Sequence, residues 1–307
     1  MASWQAHMFD VLCRVQIKRR LRSAADLAQA RAVLGKGALF APPGAVYRGA
    51  RVGGVAGEWV TAAHGAGPAP VLLYLHGGGY FTCSPRTHRP ITASFAQAGF
   101  DVFVPDYRLA PEHPFPAAVD DAEAVWKALC LAHSAAGRPT VGGDSAGGGL
   151  ALGLMTRLRD AGSLLPAAAA LFSPWTDLAS TGESMRGNAR RDATLWAPGV
   201  PIAAAWYLDG ADPLTPQASP LYARLAGLPP LSIDVGEREI LLDDSRRLAA
   251  RARAEGVAVT LNVWPVVPHV WQMAWAFLPE GRQSLHRAAT FLHRHAAGHQ
   301  AARSAPV

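Results

Sequence analysis

Thr140-Val141-Gly142-Gly143-Asp144-Ser145-Ala146-Gly147-Gly148-Gly149 passes from a short apolar run into a helical pattern that continues to Asp160, and a GxSxG string stands on the junction. A serine on a tight strand-to-helix turn takes a strained backbone, and glycines beside it admit neighbouring chain where a Cβ would clash. The hydroxyl then projects outward. The helix that follows aims its positive end at the same spot, where negative charge grows during acyl transfer. As a bare string GxSxG says little; a strand before it and a helix after it distinguish a reactive serine from a passive turn.

Some seventy residues upstream, His76-Gly77-Gly78-Gly79 follows directly on the apolar run Val71 to Leu75. Glycines after a strand free backbone N–H groups to point into a cavity, where they can hold an oxyanion together with the amide of Ala146. A phosphate-cradling loop fits poorly, because neither a GK[ST] lysine nor GxGxxG spacing is present. A serine hydroxyl is a poor nucleophile near neutral pH, so Ser145 needs a base and the base a carboxylate. Downstream, Glu239 follows the apolar run Leu231 to Val235, and His269 follows the run Val257 to Val263. Both stand where open α/β sheets place their sites, beyond the carboxyl ends of strands. His76 belongs to the glycine loop, His113 precedes the serine in a proline-rich loop, and His286, His293 and His295 fall on a terminal helix; His269 is therefore read as the base. Of the nearby carboxylates, Asp243 and Asp244 begin a helix and suit its dipole. Glu239, just beyond the strand, is read as the acid.

Further outward, short apolar runs alternate with helical patterns, the signature of a mostly parallel wound α/β sheet flanked by helices. Strands are expected at Val71 to Leu75, Val102 to Pro105, Thr140 to Gly142, Ala168 to Phe172, Leu231 to Val235 and Val257 to Val263. Helical spacing marks Pro116 to Leu131, Gly148 to Asp160, Leu241 to Glu255 and Arg282 to His295. Ser3 to Leu39 reads as a helical preface, with Met8, Val11, Leu12 and Val15 among its apolar positions. Its broken apolar face favours packing on the main body over a membrane-surface helix. Between Ser180 and Asp212 the alternation gives way to a polar run and an aromatic-rich helical stretch with Trp196, Trp206 and Tyr207, an insertion over the sheet edge.

Half of the 307 residues are hydrophobic and 17% are charged, enough apolar material for a large core, which excludes a disordered chain. The net charge of +6 comes largely from arginine. Its one cluster, Lys18, Arg19, Arg20 and Arg22, has no nucleic-acid-binding motif around it, so no nucleic-acid partner is expected. Cys13, Cys83 and Cys130 are too few and too widely spaced for a disulfide framework or a CxxC metal site. The HxH at His293 and His295 does not make a metal site either, since helical positions two apart do not face one another. With no signal peptide and no apolar run of about 18 residues, a cytoplasmic protein without stable membrane insertion is expected. An exposed last strand at Val257 to Val263 could pair two copies into a homodimer.

The motifs together, HGGG at His76 to Gly79, the stretch Asp106 to Ala117, GDSAGG at Gly143 to Gly148 and Pro268-His269-Val270-Trp271, resemble the bacterial hormone-sensitive-lipase-like carboxylesterases of the α/β-hydrolase fold. The resemblance implies an α/β-hydrolase fold with a helical cap: residues 1–45 as its N-terminal part, 180–212 as its insertion, and 46–179 with 213–307 as the core. It also implies a catalytic set of Ser145, Glu239 and His269, oxyanion donors at Gly78, Gly79 and Ala146, and no cofactor. Where many members carry an aspartate followed by proline, this chain reads Glu239-Ile240. Tyr107 to Glu112 are read as a brace beneath the site. Tyr80, Phe81 and Trp271, with the cap aromatics, suggest a pocket for a short- to medium-chain acyl group. The implied activity is ester hydrolysis through an acyl-enzyme. Amide hydrolysis or deacetylation by the same residues is the alternative, with a non-catalytic small-molecule-binding protein as a third reading.

Overall fold

Eight strands make one sheet in the computed structural model, which describes residues 2–24, 26–35, 41–64, 69–133 and 137–303. In chain order they are β1 (Ala45–Val52), β2 (Val55–Ala62), β3 (Val71–Leu75), β4 (Asp101–Pro105), β5 (Thr140–Asp144), β6 (Ala169–Phe172), β7 (Leu231–Gly236) and β8 (Val259–Trp264). Their order across the sheet is β1-β2-β4-β3-β5-β6-β7-β8. All pairs from β4 to β8 are parallel, whereas β1 and β2 are antiparallel additions. Every residue of β3, β5, β6 and β7 is buried, as expected of parallel strands covered by helices on both faces.

The helices are α1 (Trp4–Cys13), α2 (Arg19–Ser23), α3 (Leu27–Leu34), α4 (Arg89–Gln97), α5 (Ala117–Ala132), α6 (Ala146–Asp160), α7 (Ser184–Gly187), α8 (Gly199–Leu208), α9 (Leu242–Ala254) and α10 (Pro279–Arg303). Side chains alternate across β3, so Leu73 and Leu75 join the core shared with α5, α6 and α9. Leu72 and Tyr74 face Phe95 of α4 and Leu285 and Leu292 of α10. The parallel strands point one way, which brings His76, Ser145, Ser173, Glu239 and the loop before His269 to a single sheet edge.

The hairpin β1–β2 and helix α4 were not among the expected elements. Val52 pairs with Val55 around Gly53-Gly54, a two-residue turn, and the half-exposed β1 carries Arg48, Gly49 and Arg51 in place of an apolar run. The helical preface is three helices, the first two joined by a π-helical turn at Arg14–Lys18, and Lys36 to Leu39 lie outside the described residues. Its packing face also differs from the expectation: Ala6 and Cys13 are buried, whereas Met8, Val11, Leu12 and Val15 are exposed. Ser3 caps α1 through Ala6 N (3.1 Å) and is itself held by the Glu280 carboxylate at 2.6 and 2.9 Å, which ties the first helix to the last. Within 180–212 the helical part is α8 with the single turn α7, and Trp196 precedes α8.

Candidate active site

Ser145 sits between β5 and α6 with φ 51° and ψ −123°, a left-handed conformation that costs a non-glycine residue of order 1–3 kcal/mol. Its neighbours make that turn possible. A Cβ on Gly143 would stand 2.5 Å from the Gly147 carbonyl oxygen, and one on Gly147 only 2.0 Å from the Leu75 carbonyl oxygen. Ser145 N donates to the Phe172 carbonyl (2.8 Å), and its own carbonyl accepts from Trp175 N (2.9 Å) and Gly149 N (3.1 Å). The bend is thus tied to β6 and to the first turn of α6.

The Ser145 hydroxyl lies 2.9 Å from His269 Nε2, and His269 Nδ1 lies 2.6 Å from Glu239 Oε2. The second Glu239 oxygen accepts from Gly236 N (2.5 Å) and Ser173 Oγ (2.7 Å), so the carboxylate is oriented from behind. Asp243 and Asp244 turn elsewhere: one accepts from Ser184 N (2.7 Å), the other from Thr176 N (2.8 Å) and Asp177 N (2.9 Å). Burial by itself would push the His269 pKa down. The adjoining Glu239 carboxylate, reinforced by Asp192 and Asp144, outweighs it and holds the imidazole above its ordinary value.

The glycine loop is braced by buried groups. Gly77 N points at Asp144 Oδ1 (3.2 Å), and Asp144 also accepts from Tyr74 (2.8 Å) and faces His88 Nε2 (3.2 Å). Burial opposes the Asp144 charge, yet His88 and the Tyr74 hydrogen bond prevail and its pKa lies below the usual carboxylate range. Gly78 (φ +117°) and Gly79 (φ +61°) occupy conformations that a side chain would strain. Among the described residues, the amides of Gly78, Gly79 and Ala146 have no protein acceptor. His76 is pushed down to about 3 by burial and therefore stays neutral. Its ring stacks on Tyr107 at 4.3 Å, and Tyr107 donates to its carbonyl oxygen (2.7 Å), as a brace beneath the loop should.

A cavity of about 550 Å³ opens on Ser145 and His269. α1, the π-helical turn, α2 and α3 wall one side, α8 and Leu241 another, with Phe81, Val200 and Trp206 at its apolar surface. Two aromatics expected there are elsewhere. Tyr80 is buried flat against Tyr207 (3.7 Å), and Trp271 packs in the core on Trp264 (5.8 Å). Spacing next to a motif does not reveal which way a side chain turns, and both rings find deeper apolar surroundings than the cavity offers.

A family model described as the α/β-hydrolase fold matches residues 72–273. The chain belongs to the α/β-hydrolase family. Among curated proteins this hydrolase is similar to an acetyl-hydrolase of Streptomyces hygroscopicus, 45% identical over 83% of this chain and 84% of that one. An esterase of Acinetobacter venetianus is 37% identical over 81% and 82%. Among solved structures, EstE5 soaked with p-nitrophenyl butyrate superposes with a TM-score of 0.91 at 39% identity, covering 96% of this chain and all (100%) of that one. An esterase of the bacterial hormone-sensitive lipase family superposes with a TM-score of 0.86 at 42% identity, covering 96% and 99%. Within the α/β-hydrolases the chain stands with these hormone-sensitive-lipase-like esterases.

Four residues around this candidate site carry no motif. Ser173 backs Glu239 from the end of β6, and His88 lies against Asp144. Asp192 is buried and accepts from Thr194 N and Leu195 N (2.8 Å each) and from Ile240 N (2.9 Å), which pins the residue after Glu239. Asn188 adds two hydrogen bonds to the carbonyls of Glu237 (3.0 Å) and Glu239 (2.9 Å). The one trace in the sequence is Asp192-Ala193-Thr194, a turn pattern too frequent to single out.

Proposed function

We propose that this protein is a serine carboxylesterase in which Ser145 is the nucleophile, His269 the general base and Glu239 the carboxylate that holds the imidazole. The observation that carries the reading is the unbroken contact from hydroxyl to imidazole to buried carboxylate, at 2.9 and 2.6 Å. His269 Nε2 takes the Ser145 proton as the oxygen bonds to the ester carbonyl carbon. The amides of Gly78, Gly79 and Ala146 receive the oxyanion. Collapse breaks the carbon–oxygen bond to the alcohol, which leaves with the proton from His269. Water then enters, gives its proton to His269 and attacks the acyl-enzyme; the acid departs and the proton returns to Ser145. Every step uses groups of the chain and water.

The helices α1 to α3 and the segment carrying α8 form the cap in this reading. The cavity of about 550 Å³ falls in the range of small-molecule pockets and suits a short- to medium-chain acyl ester. Free thiols at Cys13, Cys83 and Cys130 support a cytoplasmic setting, and the open edge of β8 supports pairing of two copies. No helix among the described residues is long and apolar enough to cross a membrane. The deciding experiment is Ser145→Ala: turnover of p-nitrophenyl butyrate and labelling by a fluorophosphonate probe should both fall to background, and full turnover by the variant would refute the assignment. Matched esters and amides assayed in parallel, p-nitrophenyl esters from acetate to palmitate, and light scattering read the remaining parts. Faster amide turnover, a maximum at palmitate or a single-chain particle would each remove one of them.

A further inference from the structure

α1 and the π-helical turn that continues it are apolar on two opposite faces. One carries Ala6, Phe9 and Cys13 and packs on the body and the cavity, while Trp4, Met8, Val11 and Val15, spaced by four, three and four, stand in solvent. Their exposure is large for such side chains: 66% for Trp4, 60% for Val11, and about half for Met8, Leu12 and Val15. Phe277, 42% exposed, extends the patch by an edge contact with Trp4 at 6.0 Å. A contiguous apolar surface of this kind marks a docking site, whereas scattered exposed residues do not. The same helical run then becomes cationic. Arg19, Arg20 and Arg22 are exposed, and Asp10, the sole acid between Trp4 and Ser23, is buried against Arg14.

We propose that the outer face of α1, together with the arginines after it, docks on the surface of an anionic lipid bilayer. An interfacial helix needs an apolar stripe, a tryptophan suited to the headgroup boundary and basic residues without competing carboxylates, and all three are here. A second copy seated on this face about a two-fold axis would present the same patch, which has no carboxylate to offer the arginines. Phe9, Gln16, Ile17 and Arg20 of the same run line the acyl cavity, so the wall of the pocket and the membrane contact are one piece of chain. The inference goes beyond the esterase reading, and its test measures binding, not turnover.

The full chain is sedimented with vesicles of phosphatidylcholine containing about one-third phosphatidylglycerol, and with phosphatidylcholine vesicles alone. Binding is expected on the anionic vesicles, with marked weakening as salt rises from about 0.1 to 0.5 M, because exposed charges are screened. Each arginine near such a surface strengthens association about five-fold, so Arg19→Glu with Arg22→Glu should weaken it about twenty-five-fold or more. Trp4→Ser with Val11→Ser should cost at least about ten-fold. Neither pair touches the cavity, so both variants should keep their circular dichroism and their turnover of p-nitrophenyl acetate. Absence of binding to anionic vesicles, equal binding to neutral ones, or wild-type binding by both variants would overturn the proposal. So would light scattering in which Trp4→Ser with Val11→Ser turns a dimer into a monomer, which would give the face to a second copy.

Discussion

At the scale of single residues, the raised pKa of His269 sets the pH response. A general base works only unprotonated, so kcat/KM should fall as pH drops through a value above 6.5, the ordinary value for histidine. Glu239→Gln removes the chief cause of that upward shift. The acid limb should then move to lower pH while kcat falls by about 10³- to 10⁴-fold, the cost of losing the carboxylate that selects the tautomer. A rate profile across pH tests both together; an acid limb that stays in place would separate Glu239 from the imidazole. The sign for stability follows from the same shift. Protonated His269 stabilises the fold below its unfolded pKa, and that contribution disappears as pH rises through the higher folded value.

At the scale of elements, the serine turn depends on close approach between β3 and the start of α6, and glycine is what permits it. In Gly147→Ala the new methyl group meets the Leu75 and His76 carbonyl oxygens at 2.0 and 2.5 Å, both of them backbone. Relief requires β3 or α6 to move, so a loss of about 3 kcal/mol and a melting temperature lower by about 5 °C or more are expected. Gly49 in β1 is the contrast. A Cβ there meets open space, and Gly49→Ala should leave stability unchanged or raise it by about 0.5 kcal/mol. Tyr107→Phe tests the brace beneath the glycine loop. It strips a buried carbonyl of its donor at 2.7 Å, and chemical denaturation should show a loss of about 1–3 kcal/mol.

At the scale of the whole molecule, Arg31 ties α3 to the body, beside the packing of Leu27, Ala30 and Leu34 on the core. Arg31 donates to the Phe81 carbonyl (2.7 Å) and the Ala110 carbonyl (2.9 Å), and grips both oxygens of Glu112 at 2.7 and 2.5 Å. This contact lowers the Glu112 pKa to about 2. The pair therefore contributes above the ordinary glutamate value and is lost only as pH falls towards about 2. Arg31→Ala should expose the N-terminal helices to limited proteolysis and raise KM for longer acyl esters, because α3 lines the cavity. Turnover of p-nitrophenyl acetate should change less than about three-fold. Equal protease resistance in variant and wild type would show that the fastening lies elsewhere.

The sheet, the serine turn, the glycine loop and the His269 and Glu239 positions were legible because each is written locally: apolar runs of strand length, glycines where a Cβ cannot fit, and polar residues just past strand ends. The hairpin β1–β2 was not, since a half-exposed edge strand rich in arginine and glycine lacks the apolar run that announces a buried one. Nor could the sequence tell which apolar residues of α1 pack inward, because both faces are apolar and only the body beneath it distinguishes Ala6 and Cys13 from Met8 and Val11. The hold of Ser173 and Gly236 on Glu239, and of Asp192 on Ile240, likewise joins residues 3 to 66 positions apart through ordinary hydrogen bonds that no spacing encodes. Local chemistry thus pointed to the groups proposed to react. Which neighbours hold them was decided by packing, where contacts between distant parts of the chain depend on shape and burial and leave no periodic mark in the sequence.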